Sequence, residues 1–104
     1  MSEKPKATIK RITLHPILSS WHIKINLPPE RHLIERYIVT AVSANSSNHV
    51  IVEMLDREDD HLLLSIPAWN EEYLIRIITL YNHLTTDNCP FDEIKHTPKQ
   101  AFFN

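Results

Sequence analysis

Apolar and polar residues alternate along several short stretches of the chain, a pattern typical of β-strands. The alternation is clearest from Trp21 to Leu27, where Ile23 and Ile25 share a face with Leu27 and polar residues occupy the other face. Strands are also predicted at residues 7–14, 50–55, 62–66 and 91–96, the last as a short edge strand. Both faces of the 50–55 stretch are apolar, which predicts a central position in a sheet.

Two longer stretches have helical spacing instead. After Pro28-Pro29, apolar residues occur at 33, 34, 37, 38, 41 and 42, although Tyr-Ile-Val-Thr at 37–40 favours a strand. After Asn70, a possible helix cap, the spacing recurs at 73, 74, 77, 78, 81 and 84. Each predicted helix follows a similar segment, His22 to Pro28 and His61 to Pro67, so an internal duplication stays open.

These elements predict an α+β fold with two layers. An antiparallel sheet of four to five strands carries two helices on one face, in a ferredoxin-like or a duplicated strand-strand-helix arrangement. Residues 50–55 and 62–66 are predicted to form a hairpin through the acidic loop 56–60. Residues 7–96 are predicted to be a single domain, between a mobile basic tail at 1–6 and a C-terminal tail at 97–104 that contains Phe102-Phe103.

Composition narrows the function classes. The 104 residues include no glycine and carry a formal net charge of −2. Phosphate-binding loops of the usual kinds need glycine, so a P-loop and a dinucleotide fingerprint are excluded in their usual forms. Left-handed backbone positions are then expected at asparagines, for which the candidates are Asn45, Asn48, Asn82 and Asn88.

The single cysteine and the absence of long apolar runs predict a cytoplasmic protein. Cys89 has no partner for an intrachain disulfide, which fits a reducing compartment. No apolar run approaches the ~18 residues that a membrane span requires. The basic residues near the N-terminus are not followed by an apolar stretch of signal-peptide length.

Candidate catalytic and metal-binding residues are few. The seven histidines include no pair at local ligand spacing, although His22 and His61 could meet if their strands pair, with a carboxylate from 58–60 beside them. Acidic neighbours of Cys89 disfavour its thiolate. The carboxylates at 56–60 and 71–72 lack a pocket that would tune them for acid–base work. We therefore predict no cofactor, no metal and no enzymatic activity.

Protein binding is the predicted function, as a regulatory, adaptor or inhibitor domain or as a homodimer. A sheet covered on one face only would leave Ile51, Leu55 and Leu63 exposed. Tryptophans at strand ends are either interface anchors or lids over the core. The predicted protein-binding residues are an apolar face, an acidic rim and two anchors: Ile51, Leu55, Leu63; Asp56, Glu58, Asp59, Asp60; and Trp21, Trp69.

The alternative function is nucleic-acid binding through the basic residues, which are Lys4, Lys6, Lys10, Arg11 and Lys24. Such binding would weaken steeply with salt. Against it, residues 49–72 contain seven acidic side chains and only one arginine, and the resulting net charge of −6 repels phosphate. The predicted central strands also lack the aromatic residues on which RNA-binding sheets stack bases.

Overall fold

The computed structural model describes residues 4–15, 17–45 and 49–99, which form two antiparallel β-sheets packed face to face. The strands in chain order are β1 (Thr8–His15), β2 (Ser20–Asn26), β3 (Ile34–Ser43), β4 (Val50–Asp56), β5 (His61–Ser65), β6 (Tyr73–Tyr81) and β7 (Phe91–His96). One sheet has the order β1-β2-β5 and the other β4-β3-β6-β7. Across the described ranges the only helices are single 3-10 turns at Arg31–Leu33 and Thr86–Asn88.

The two predicted helices are the two central strands of the four-stranded sheet, so the α+β prediction is wrong in both its ferredoxin-like and its duplicated form. β3 and β6 pair antiparallel over their whole lengths. Every second residue of β6, from Tyr73 to Tyr81, is buried. The helical spacing arose because outward residues such as Ile38 and Ile78 are apolar as well. β-branched side chains then favour the extended backbone.

Asn70 does not cap a helix. Its φ of 62° is left-handed, whereas a cap residue has extended backbone. The other left-handed positions in the described residues are Ser19, Glu30 and His83. The expectation of left-handed backbone at Asn45, Asn82 and Asn88 is therefore wrong. Asn48 lies outside the described residues.

The predicted hairpin of β4 and β5 is also wrong, because these strands belong to different sheets. β5 pairs with β2. Among the described residues β4 pairs only with β3, so β4 is an edge strand rather than a central one. Residues 57–60 cross from one sheet to the other. β4 is apolar on both sides because one side faces the core and the other belongs to an uncovered sheet face. The β7 prediction is confirmed, at residues 91–96 and at a sheet edge.

The core lies between the sheets and is centred on Trp21, whose side chain has no exposed surface. Its indole packs edge-on against Tyr73, with ring centroids 5.1 Å apart. Its Nε1 donates to Nδ1 of His96 at 3.0 Å, which satisfies the one polar atom of the buried ring. Burial at this position lowers the pKa of His96 and favours the neutral imidazole that accepts this bond.

One lateral side of the sandwich is closed by bonds between the sheets. The backbone N–H of Ala7 donates to Thr79 Oγ1 at 2.8 Å, and that of Ile9 donates to Asp92 Oδ2 at 2.8 Å. Strands β4 and β5 form the edges on the other side. Near the end of the described chain, the carbonyl of Pro98 accepts from Asn70 N at 2.7 Å. Phe102-Phe103 lies outside the described residues.

Candidate protein-binding face

The outer surface of the four-stranded sheet is apolar across most of its width. Met54, Ile38, Ile78 and Phe91 lie side by side across the four strands. We call this surface the apolar face. Its members are the outward-pointing apolar residues of β4, β3, β6 and β7: Val50, Val52, Met54, Ile38, Val42, Leu74, Ile78, Leu80 and Phe91.

Exposure on the apolar face is greatest along the edge strand β4. Val50, Val52 and Met54 are 50%, 56% and 60% exposed, and Phe91 at the opposite edge is 42% exposed. The apolar residues of β6 between them are half-buried by their neighbours. Exposed apolar residues that are contiguous, rather than scattered singly, mark interaction surfaces.

Two arginines cover parts of the apolar face with their side chains. The Arg76 guanidinium lies 4.2 Å from the ring centroid of Phe91, and its Nε and Nη2 donate to Glu93 Oε2 at 3.0 and 2.8 Å. Arg36 donates through Nη1 to the sulfur of Met54 at 3.2 Å. Arg76 lies on the central strand β6 in a row with Val52, Thr40 and Glu93, so a polar row crosses the middle of the apolar face, whereas Arg36 lies near one end of β3. Arginine stems pack well on apolar surface while the charged group stays hydrated.

An acidic segment adjoins the end of the face at which β4 ends. Asp56 is opposite Arg36 in the strand register, and its carboxylate accepts from the backbone N–H of Glu58 at 2.9 Å. The next turn is held by the Tyr37 hydroxyl, which donates to the carbonyl of Arg57 at 2.8 Å; burial raises the pKa of Tyr37 to about 12. We call Asp56, Glu58, Asp59 and Asp60 the acidic rim.

The outer surface of the three-stranded sheet is different in kind. Apart from Leu63, which is 53% exposed, its central positions carry polar or charged side chains. We call this surface the polar face. Its outward-pointing residues on β1, β2 and β5 include Arg11, Thr13, His15, His22, Lys24, His61 and Leu63.

The structure does not bring the three predicted apolar binding residues onto one surface. Leu55 is 8% exposed and pairs with Tyr37 in the core, and Ile51 faces the same way. Leu63 lies on the polar face, on the opposite side of the molecule. The prediction of one open face containing all three is wrong, because the other parity of β4 points outward. The missed residues Val50, Val52 and Met54 were visible in the sequence as the second apolar side of that strand.

The two tryptophans differ in their surroundings. Trp21 is fully buried, so the prediction that it is a partly exposed anchor is wrong and its place is within the core. Trp69 is half-buried and packs against the core beside β6. A contact between Trp69 and a partner stays a prediction.

The basic residues fall into two groups on different sides. Arg11 and Lys24 are opposite each other on the polar face, next to Lys10 at a register shift in β1. Lys6 instead donates to the carbonyl of Phe91 at 3.1 Å, and the Lys4 Nζ lies 5.2 Å from the centroid of the Tyr81 ring. The five residues of the nucleic-acid alternative therefore do not form one basic patch.

A polar cluster at the far end of the sandwich was not visible in the sequence. Glu71 accepts from Ser43 Oγ and from His49 Nδ1, the latter at 2.9 Å. These bonds, that with Ser43 above all, lower the pKa of the Glu71 carboxyl. Serine and histidine each bond to the carboxylate, whereas a hydrolytic triad needs the serine bonded to the histidine. The cluster ties the β5–β6 loop to the ends of β3 and β4.

Cys89 is buried beside an open groove of about 820 Å³ that Lys4, Lys6 and Phe91 also line. Its sulfur accepts from the backbone N–H of Tyr81 at 3.4 Å. Within the described ranges no group of three or more histidine, cysteine, aspartate or glutamate residues is arranged to hold a metal ion. The same part of the chain contains no helix able to cross a membrane.

Solved structures share this fold. The chain is similar to the fn3 domain of the human collagen alpha-1(XX) chain in solution, with a TM-score of 0.68 and 14% identity over 99% of this chain and 86% of that one. A crystal structure of an FN3 domain of human collagen XX gives 0.66 and 12% over 93% and 96%. A redesigned β-sandwich protein gives 0.65 and 21% over 95% and 97%.

These likenesses show an all-β, two-sheet sandwich of the fibronectin type III kind. They agree with the strand assignments in overturning the predicted two-layer α+β architecture. No protein-family model matches the sequence, and no curated protein matches it. The similarity therefore establishes the fold, while function has to be argued from the surface.

Proposed function

We propose that this chain is a non-enzymatic protein-binding domain that docks its partner on the apolar face. The observation that carries the proposal is the row of Val50, Val52 and Met54, each at least half exposed beside half-buried apolar residues of β3 and β6. Full burial of one such side chain contributes roughly 1.5–3 kcal/mol relative to leaving it exposed. Sandwich domains of this architecture are common on cell surfaces, which supports a binding role without identifying a partner.

The charges beside the face favour one kind of partner. Its acidic rim lies at the end where β4 finishes, and Arg76 is already bonded to Glu93. A partner with an apolar strip that is flanked at one end by basic side chains would complement the apolar face and its acidic rim. Charged groups at such a rim act mainly on the association rate and on orientation. An adaptor, an inhibitor or a regulatory subunit would each use a surface of this kind.

The edge of β4 is less suited to binding than its face. Glu53 points to the inner side of the sheet, in register with buried Val39, yet is exposed at the edge. An inward-pointing charge on an edge strand opposes pairing with another strand. This supports docking of side chains onto the sheet rather than addition of a further strand to it.

The experiment is site-specific photo-crosslinking with a benzophenone side chain placed at position 52 or at position 63. Both positions are similarly exposed, but they lie on the apolar and the polar face respectively. The proposal expects protein adducts that form at 52 and not at 63, and that disappear when unlabelled domain competes. Equal labelling from both positions, or adducts from 63 alone, would contradict it.

Three outcomes separate the possible occupants. An adduct with the mass of two chains at position 52 would identify self-association through the apolar face. Adducts with other proteins would identify a separate partner. Binding of nucleic acid, reduced together by substitutions at Arg11 and Lys24, would instead favour the alternative function.

A further inference from the structure

Three histidines form a row across the polar face, one on each strand of the three-stranded sheet. The ring centroids of His15 and His22 are 5.8 Å apart, and those of His22 and His61 are 5.5 Å apart. His22 is directly opposite Thr13 and Leu63, so its histidine neighbours lie on the diagonals of the strand register. Diagonal neighbours on one sheet face are within reach of long side chains.

One end of the row has an additional feature. His61 Nδ1 lies 3.1 Å from Asp60 Oδ1. An ionised carboxylate only accepts, so this bond places the proton of a neutral imidazole on Nδ1 and leaves the lone pair on Nε2. A carboxylate bonded to the outer nitrogen is the arrangement that orients histidine ligands in many metal sites.

We propose that His22 and His61 bind one divalent transition-metal ion, such as Zn²⁺, with Asp60 orienting His61. Imidazole is a favourable ligand for zinc, nickel and copper. The proposed site has two protein ligands, and its remaining coordination positions would be open to water or to a group from another molecule. The two imidazoles lie on the sheet opposite the apolar face, and Asp60 is the member of the acidic rim nearest to them in sequence.

The ring separation fits two imidazoles on one ion. With Zn–N bonds of about 2.1 Å, each ring centroid lies about 3.2 Å from the metal, so a tetrahedral angle separates the centroids by about 5 Å. The observed 5.5 Å is within reach of small rotations of exposed side chains. The His61 side chain is 63% exposed, so a small rotation of its ring does not disturb the core.

Charges on the same face set the strength of the site. Lys24 is directly opposite His61 in the register and repels a cation. Asp60 interacts with Lys24 and compensates part of that charge. His15 is the other neighbour of His22, but it has no carboxylate like Asp60 among its hydrogen bonds in the described structure. The pair His22–His61 is therefore the preferred one.

The test is a Zn²⁺ titration of the untagged chain at pH 7.5, followed by NMR of the imidazole nitrogens and by calorimetry. We expect Nε2 of His61 and a nitrogen of His22 to shift together, with one ion bound per chain. His22→Asn and His61→Asn should each weaken binding at least tenfold. Asp60→Asn should weaken it several-fold while leaving both imidazoles as ligands.

His83→Asn is the matched control, since His83 is exposed in the β6–β7 connection and asparagine tolerates its left-handed backbone. All substituted side chains are at the surface, and circular dichroism of each variant verifies the fold. The proposal is overturned if no ion binds up to 1 mM Zn²⁺. It is equally overturned if His61→Asn binds as tightly as His83→Asn, or if loss of His15 abolishes binding while loss of His61 does not.

Discussion

The two outer surfaces of this sandwich are built from similar antiparallel strands but expose different chemistry. On the polar face, β2 alternates cleanly between buried Ile23 and outward-pointing His22 and Lys24. On the apolar face, β4 presents Val52 and Met54 to solvent while Leu55 fills the core from its other side. The core buries the apolar side of a strand that has only one. A strand with two apolar sides keeps one of them exposed to solvent.

The difference between the polar and the apolar face matters because of the geometry of a two-sheet sandwich. Each sheet can bury only one side against the other sheet, so the second side is solvated unless another molecule covers it. The polar face is already suited to water. Covering the apolar face removes apolar surface from water and so lowers the free energy. For this reason we propose that the binding function lies there.

The largest expected effect is a difference in the loss of folding stability between substitutions on the two sides of β6. Ile77→Ala removes a side chain that is 1% exposed and should destabilise the fold by about 2–5 kcal/mol. Ile78→Ala, the next residue, removes a half-buried side chain of the apolar face and should cost about 1 kcal/mol. Urea unfolding measures both. Equal costs would mean that the apolar face is covered within the isolated chain.

Binding should respond to substitutions on only one face. Val52→Glu places a charge on the apolar face and should weaken partner binding at least tenfold, which is about 1.4 kcal/mol. Its stability should stay within about 1 kcal/mol of the parent, because Val52 is exposed. Leu63→Glu on the polar face is the control and should leave the affinity unchanged. The proposal fails if Leu63→Glu is the more damaging substitution.

The edge of β4 offers a smaller effect of a different kind. Glu53→Val removes the inward-pointing charge and should allow concentration-dependent self-association through strand pairing. Glu53→Lys keeps a charge at this position and should stay monomeric at the same concentrations. Light scattering over a dilution series measures both variants. A monomeric Glu53→Val variant would show that the edge is protected by other means.

The smallest effect concerns the polar cluster of Ser43, His49 and Glu71 at the end of the four-stranded sheet. Ser43 and His49 lower the pKa of Glu71 in the folded chain. The ionised carboxylate therefore stabilises the fold fully above the unfolded pKa of about 4.3, and this stabilisation is lost as the pH falls through the lower pKa of the folded state. Glu71→Gln should therefore lose less thermal stability than the parent between pH 5 and pH 3. Glu72→Gln, which changes an exposed neighbour, should follow the parent curve.

The sequence pattern placed five strands to within a residue of their observed bounds, namely β1, β2, β4, β5 and β7. β2 and β7 were located to within a residue, since Trp21 to Leu27 alternates cleanly and Phe91 to His96 is bounded by polar segments. β3 and β6 were mistaken for helices because apolar outward residues added a second, helical spacing to the alternation. The runs of β-branched residues in these two segments correctly indicated strands, as the residues Tyr37–Thr40 illustrate.

The candidate site was predicted in class but not in position. An apolar surface opposite the core follows from the sequence, because β4 is apolar on both sides. Which side points outward is fixed by the register of Leu55 with Tyr37, and a shift of one residue exchanges the two sides. The contact between His22 and His61 depended on the pairing of β2 with β5, which the structure shows.

The most direct test of the account is the oxidation rate of Met54 in the dilute, isolated chain, mapped by mass spectrometry after brief exposure to hydroxyl radicals. Met54 is 60% exposed on the apolar face, and methionine oxidises readily when solvent reaches it. We expect fast oxidation at high dilution and protection once a partner or a second chain occupies the face. A Met54 that resists oxidation at every dilution would contradict the account, because the face would then already be covered.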